Sequence, residues 1–283
     1  MSEQAVLYDA PGPRTRRLTL IGSLGAGVLL LAGLYWVVRQ LQSKGQFESV
    51  LWQPFTDPDI QHSILIGALA TLKAAVLAIV FAVVLGALLA TGRLSEHRAV
   101  RVPCTVAVEL FRSLPLLLLI LALFLAFPQA LGALGALVLG LTLYNGSVLA
   151  EVFRAGILAV PRGQSEAAYA LGMRKTQVMT SILMPQAVRT MLPALISQCV
   201  VTLKDTALGY VITYPELLTT GKAIYGTYFN IIPTALVIGT IYVGTNVVLS
   251  TVAQRLQRRR AARGEPTAPV APTPDVLLET IPV

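Results

Sequence analysis

The chain has 283 residues, of which 55% are apolar and 13% are charged, whereas soluble proteins carry about 25% charged residues. A water-soluble protein of this length could not bury so many apolar side chains while presenting so few charges, so the composition indicates an integral membrane protein. Cys104 and Cys199 are too few for a disulfide-rich secreted scaffold and are expected to be reduced packing residues. The net charge of +8 is interpreted as a record of membrane orientation rather than as a nucleic-acid-binding surface.

Six segments are apolar enough to cross a bilayer, which takes about 20 residues of α-helix. The predicted fold class is therefore all-α, a polytopic membrane bundle of six transmembrane helices. The predicted spans are Leu18 to Val38, Ile64 to Thr91, Cys104 to Phe127, Leu131 to Phe153, Met184 or Thr190 to Tyr210, and Pro233 to Ala253. The first span is too long for the core of a signal peptide and is interpreted as a retained anchor.

Small residues recur at four-residue spacing within two of these spans. They are Ala82, Gly86 and Ala90 in the second span, and Gly132, Ala136 and Gly140 in the fourth. Such spacing lets helix backbones approach closely in lipid, where packing contacts hold a bundle together. Abundant Ala and Gly alone would also produce some of these pairs, but several pairs together favour a closely packed bundle.

Basic residues are unequally shared between the two sides of the predicted membrane. With a cytoplasmic N-terminus, 16 of the 22 basic residues lie inside and three outside, and the positive-inside rule then predicts that both termini are cytoplasmic. The predicted divisions are a cytoplasmic segment 1–17, an anchor 18–38, an external segment 39–63, a five-span transmembrane domain 64–254 and a tail 255–283. The tail is basic at first and then Pro-rich, which predicts disorder.

The longest cytoplasmic connection, from about residue 154 to 189, is predicted to contain a short helix. Good helix formers run from Glu166 to Leu171, and Gly172 supplies a helix stop. A surface helix with small side chains and one carboxylate suits a soluble partner that offers an arginine. From the residues alone, a helix lying on the lipid headgroups fits equally well.

Ionisable residues within membrane spans usually face a partner or a water-filled path, because burying a charge in lipid is costly. The candidates for a pathway or gate are Arg112, Pro115, Lys204, Asp205 and Thr206. Pro115 is expected to break or kink its helix, since proline removes a backbone donor. Lys204 and Asp205 would reach the outer interface if the fifth span begins at Met184, and would lie deeper if it begins near Arg189. Contact with substrate and plain helix packing are both open interpretations for them.

Two acid–base pairs at i,i+3 spacing are expected to form ion pairs. They are Glu109 with Arg112 and Glu151 with Arg154. The simplest interpretation is that both pairs neutralise charge near the cytoplasmic interface, where long side chains reach the headgroups.

The sequence carries no recognisable catalytic or cofactor-binding motif. It has no phosphate-binding G-x-x-x-x-G-K-[ST] loop, and its two histidines, His62 and His97, lack metal-ligand spacing. We therefore expect no enzyme activity, no cofactor and no metal site in this chain.

Three motifs resemble a known family. Glu166-Ala167-Ala168, followed by Gly172 and Pro185, resembles the EAA motif of the permease subunits of ATP-binding-cassette importers. The run from Phe111 to Leu117 resembles the FRGTPLL segment, and the run from Leu203 to Leu208 the LKDTSL segment, of the polar amino acid permeases. Further matches to the pattern are Glu151, Arg154, Gly156 and Gly163-Gln164, so the resemblance extends from about Ile64 to Ala253. The departures from it are Ser113-Leu114 for Gly-Thr, Met184 for Leu and Ala207 for Ser.

The resemblance implies a division of labour between subunits. Two permease subunits, identical or paralogous, would form the pathway, two cytoplasmic ATPases would bind ATP and magnesium, and an external protein would deliver the amino acid. The residues implied in coupling to the ATPase are Glu166, Ala167, Ala168, Gly172 and Pro185. It further implies a polar amino acid substrate of the glutamate or glutamine type, a prokaryotic inner membrane, and a five-helix core to which the first span is an addition. The alternatives are an ATPase-independent secondary transporter or channel, and an intramembrane enzyme or scaffold.

Overall fold

A computed structural model describes residues 12 to 261, and every regular element in that range is helical. The helices are α1 (Pro13–Ser43), α2 (Pro58–Arg93), α3 (Arg98–Ser113), α4 (Leu116–Ala126), α5 (Pro128–Leu158), α6 (Arg162–Ala170), α7 (Lys175–Gln177), α8 (Met184–Asp205), α9 (Leu217–Tyr228) and α10 (Ile231–Ala261). Short 3₁₀ turns cover Ser49–Leu51, Gln53–Thr56 and Thr206–Ile212, and a π-helical turn covers Val178–Leu183. The start of the predicted segment 1–17 and the Pro-rich part of the tail lie outside the described residues.

Five helical segments in residues 12–261 are long and apolar enough to cross a membrane. They are Arg14–Ser43, Pro58–Arg93, Pro128–Leu158, Lys175–Ile212 and Ile231–Thr251. Helices α3 and α4 make a sixth candidate when they are counted together, although they meet at a bend of 101°. The all-α membrane bundle is therefore confirmed.

The predicted third span, Cys104 to Phe127, consists of two helices, the first of which begins earlier, at Arg98. Helix α3 ends at Ser113, Leu114 is extended (φ −78°, ψ 135°), and Pro115 stands just before α4. A proline forces the preceding residue out of the helical region and cannot donate to the previous turn. The predicted break at Pro115 is therefore confirmed, and its size splits the span into two helices.

The chain divides into two compact units. The first, called the N-terminal unit, holds residues 12–61 and 224–236. Here the amide of the buried Asn230 donates to the carbonyl oxygen of Leu51 (2.9 Å) and its side-chain oxygen accepts from the Thr234 hydroxyl (3.0 Å). Helix α1 is exposed along its whole apolar length.

The second, the core unit, holds residues 62–223 and 237–261 and is built around α5. Ile120 of α4, together with Leu137 and Leu141 of α5, is fully buried in its largest apolar cluster. Such burial in one continuous cluster fixes the positions of α2, α4 and α5 relative to each other.

Small residues close the crossing of α2 over α5, as their spacing predicted. Ala82, Gly86 and Ala90 are all buried, and a Cβ added to Gly86 would lie 3.0 Å from the carbonyl oxygen of Gly146. The second predicted series is only partly correct, because Gly132 has φ +58° and interrupts the helical path instead of joining Ala136 and Gly140 on one face.

Candidate coupling loop and gate

The EAA sequence forms helix α6 (Arg162–Ala170), and the predicted stop at Gly172 is confirmed. Gly172 has φ +77°, its N–H donates to the carbonyl of Tyr169 (2.9 Å), and the N–H of Met173 donates to the carbonyl of Ala168 (3.2 Å). These two hydrogen bonds form the Schellman motif. The motif needs one residue in the left-handed backbone conformation, which glycine adopts without strain.

Helix α6 has one buried position and an otherwise open surface. Ala168 is buried and α6 lies on the π-helical turn, whose Val178 is also fully buried. Glu166 and Ala167 are exposed, and Leu171 at the end of the helix is 83% exposed. A short helix outside the candidate spans that carries an exposed carboxylate and ends at an exposed leucine is a surface suited to a protein partner.

Pro185 lies in the first turn of α8, directly after the π-helical turn Val178–Leu183. A proline cannot donate to the turn before it and crowds that turn's carbonyl, and a π-helical turn is the wider arrangement that tolerates this. The helical path is otherwise continuous from Lys175 to Ile212, so the helix of the fifth span begins before both of its predicted starts, Met184 and Thr190.

An apolar cluster anchors both ends of the loop to the core unit. It combines buried Val160, Ala187 and Met191 with Phe153 and Ile157 of α5. A Cβ added to Gly156 would lie 2.9 Å from the Met191 side chain. The close approach of α5 to α8 therefore begins where the loop leaves the bundle.

Four charged side chains meet at one end of α2, α3 and α5. Arg93, whose side chain is 9% exposed, contacts Glu151 (2.5 Å) and Glu109 (3.5 Å), and Glu151 also contacts Arg154 (2.6 Å). The predicted pair of Glu151 with Arg154 is confirmed. The predicted pair of Glu109 with Arg112 is wrong, because Arg93 of another helix reaches Glu109 and leaves Arg112 exposed.

A second ion pair joins the turn between α2 and α3 to the loop. Lys175 of α7 contacts Glu96, and both side chains are exposed. The hydrogen bond and positive charge of Lys175 hold the pKa of the Glu96 carboxyl below its ordinary value. Neither residue was singled out from the sequence, because their partnership spans 79 positions.

The pathway candidates occupy two breaks in the helices. Arg112 lies in the last turn of α3 and Pro115 directly follows that helix. Lys204 is exposed and Asp205 half-buried in the last turn of α8. Thr206 is fully buried, and its hydroxyl donates to the carbonyl of Leu203 (2.6 Å). Thr206 therefore already has a partner within its own helix end.

Sequence reasoning missed the most deeply buried carboxylate among the described residues. Glu216 is fully buried just before α9 and accepts from the N–H groups of Leu218 and Thr219 (2.8 Å each) and from the Tyr242 hydroxyl (2.5 Å). The hydroxyl of Thr71 on α2 accepts from the N–H of Leu217 (3.1 Å). A Pro-Glu pair before a helical run is the signal that could have identified the cap.

A second missed pair joins α5 to α8. Asn145 is fully buried, and its side-chain oxygen accepts from the amide of Gln198 (2.5 Å). Hydrogen bonds of this kind hold transmembrane helices together.

Comparison with known proteins identifies the family of the chain. Residues 82–263, more than half of the chain, match the family described as "Binding-protein-dependent transport system inner membrane component". The chain belongs to this family. It is a permease, the translocation component of its transporter, and the ATPase of such a transporter is a separate subunit.

The permease has relatives that match most of their own length. It is 42% identical over 250 residues to the glutamate transport system permease protein GluD of Corynebacterium glutamicum, covering 85% of this chain and 92% of the relative. It is 36% identical over 202 residues to the probable glutamine permease protein GlnP of Bacillus subtilis, covering 69% and 92%. A crystal structure described as an amino acid ABC transporter with histidines matches with a TM-score of 0.67 and 29% identity, over 70% of this chain and 94% of that one.

These matches confirm the permease family predicted from the motifs. The permease is a multi-pass membrane protein and works in a complex with ATPase and substrate-binding partners. In the described residues, no group of three or more His, Cys, Asp or Glu side chains is arranged to hold a metal ion.

Proposed function

We propose that this permease moves a polar amino acid, glutamate or glutamine, inward across a prokaryotic cytoplasmic membrane. Support comes from the GluD relative, which shares 42% of its residues over 250 positions and is named for glutamate, and from the GlnP relative, which is named for glutamine. Transport would proceed by alternating access, driven by ATP and magnesium bound to the partner ATPase.

The coupling helix of this importer is α6. The observation that carries the proposal is that α6 is a short exposed helix, closed at Gly172 and joined at its two ends to α5 and α8. Exposed Glu166 offers an acceptor to a basic side chain of the ATPase, and Ala167 allows close approach. Buried Ala168 seats α6 on the bundle, and Pro185 starts the helix that receives its motion.

The gate is formed by the two helix breaks. Pro115 sets the bend between α3 and α4, and Arg112 stands at its edge. In the proposed orientation, Lys204, Asp205 and Thr206 lie toward the outer end of α8, since α8 starts at the cytoplasmic loop. A cation and a carboxylate at that depth suit a zwitterionic substrate or its gate.

The proposed assembly has two permease subunits, identical or paralogous, two ATPases and one external binding protein. Both termini of the permease are cytoplasmic, because this orientation puts 16 of 22 basic residues inside. The five-span domain at 64–254 forms the pathway, and residues 18–38 form an added anchor.

The test is Glu166→Lys in the complete complex reconstituted in vesicles. A lost charge-assisted hydrogen bond is worth about 2 kcal/mol, or about 30-fold in affinity. We expect the ATPase to copurify weakly and the uptake of labelled glutamate and glutamine to fall at least about tenfold. Glu48→Lys, the same charge reversal on an exposed residue of the N-terminal unit, should leave both unchanged. Uptake by the permease alone, driven by an ion gradient, would instead establish a secondary transporter.

A further inference from the structure

The turn between α2 and α3, residues 93–98, is fixed to the core unit through Arg93. Its guanidinium joins Glu109 of α3 (3.5 Å) to Glu151 of α5 (2.5 Å), and its side chain is 9% exposed. Arginine suits this place because its planar guanidinium can donate to Glu151 through one nitrogen while another nitrogen lies near the Glu109 carboxylate, whereas a lysine ammonium is a point charge.

The same turn is also joined to the coupling loop. Glu96, three residues after Arg93, contacts Lys175, which begins α7. Lys175 follows the Schellman end of α6 within a few residues. The turn therefore contacts the loop on one side and the ends of α3 and α5 on the other.

The position of this turn bears on how a motion of α6 could reach helices α2 and α3. Helix α6 is joined by the chain to α5 and α8, so its motion reaches these helices directly. Helices α2 and α3 precede the loop in the chain and can follow it only through non-covalent contacts. We propose that residues 93–98 form a brace that passes the motion of α6 to α2 and α3, with Arg93, Glu96 and Lys175 as positioning residues. This inference rests on the proposed function, in which α6 docks on the ATPase.

The two halves of the brace differ in strength. Arg93 is shielded from water, and so is most of the Glu151 side chain, so their contact is little screened by salt. The pair of Glu96 with Lys175 is exposed, and exposed pairs contribute little and weaken as salt rises. We therefore expect loss of Arg93 to be severe and loss of either member of the exposed pair to be mild.

Arg93→Met tests the buried half. Glu151 keeps Arg154 as its partner and Glu109 is 60% exposed, so the variant leaves no isolated buried charge and should fold. In the complete complex we expect ATP hydrolysis to stay within about twofold while uptake falls at least about tenfold, with partial recovery in Arg93→Lys. The matched control is Arg101→Met, an exposed cation of α3 outside the brace, which should transport normally. Equal uptake in the Arg93→Met and Arg101→Met variants would overturn the brace.

A charge swap tests the exposed half. Glu96→Lys and Lys175→Glu should each lower uptake about two- to fivefold at low salt, and the double variant should restore it. If the swap restores nothing, the pair does not act as a brace.

Geometry can be tested apart from transport. Cysteines at 96 and 175, in a background with Cys104→Ser and Cys199→Ser, should be joined by a short bifunctional thiol reagent in native membranes. Absence of this crosslink would overturn the brace whatever the substrate. Uptake is measured with all common amino acids. Transport of an amino acid other than glutamate or glutamine would overturn only the substrate proposal. The ratio of uptake by the variant to uptake by the wild type would still test the brace.

Discussion

Glu216 is a fully buried carboxylate held by hydrogen bonds from two backbone N–H groups and from the hydroxyl of Tyr242. Replacing it in Glu216→Leu would leave these donors unsatisfied in the core, and each buried unpaired donor costs about 1–3 kcal/mol. We expect a loss of about 3 kcal/mol in the free energy of unfolding. Unfolding in mixed detergent micelles measures it.

Tyr242→Phe is the matched control for Glu216→Leu, since it removes one donor and leaves the carboxylate with the others. It should cost about 1 kcal/mol. Equal losses in the two variants would mean that the backbone contacts of Glu216 contribute nothing, which would contradict its role as the cap of α9.

Residue-level features were predictable where the contact is local. The pair of Glu151 with Arg154 follows from i,i+3 spacing, and the end of α6 follows from a glycine after a helical run. Arg93 with Glu151 and Tyr242 with Glu216 join residues that are 58 and 26 positions apart. Spacing along the chain carries no information about such pairs, so Arg93, Glu96 and Glu216 became visible only in the folded structure.

At the scale of elements, the crossing of α2 and α5 depends on the absence of a side chain at Gly86. An added Cβ would lie 2.8 Å from the Cβ of Leu149 and 3.2 Å from the backbone nitrogen of Ala150. Backbone atoms cannot turn aside, so the helices must separate. We expect Gly86→Ala to lower the stability of the permease by about 1–3 kcal/mol, measured as thermal unfolding in detergent.

Gly244→Ala provides the comparison for Gly86→Ala. Gly244 lies in α10 with open space around its Cβ position, and alanine in a helix interior is favoured over glycine by up to about 1 kcal/mol. This variant should be neutral or more stable. A neutral Gly86→Ala would contradict close packing at the crossing.

Hydropathy predicts the type of an element better than it predicts where the element begins and ends. The predicted third span joins the apolar run of α4 to the later part of α3, from Cys104 on, because a hydropathy average does not register the proline between them. The structure turns by 101° there, because one residue without an N–H and one extended residue before it suffice to end a helix. Gly132 breaks α5 for a different local reason, a left-handed backbone, which composition does not reveal.

At the scale of the whole molecule, α1 precedes the part of the chain that matches the family. The family match begins at residue 82, well after α1 ends at Ser43. Leu29 and Leu30 are 75% and 74% exposed, and a Cβ added to Gly22, Gly25, Gly27 or Gly33 would meet no atom within 4 Å. Removing such a helix opens no cavity, so the cost of a lost core residue does not arise.

We therefore expect a permease lacking residues 1–43 to accumulate in the membrane and to copurify with its ATPase. Its melting temperature should stay within about 2 °C of the intact chain, the shift that about 0.5–1 kcal/mol produces in a protein of this size. In the proposed orientation, deletion also changes the side of the membrane on which the chain starts. The matched control therefore replaces only residues 18–38 by a Leu-Ala segment of equal length, which keeps Arg14, Arg16 and Arg17. If both variants fail to accumulate in the membrane, α1 contributes packing contacts to the permease. If accumulation is lost in the deletion alone, α1 acts in orientation, which the proposed topology assigns to Arg14, Arg16 and Arg17.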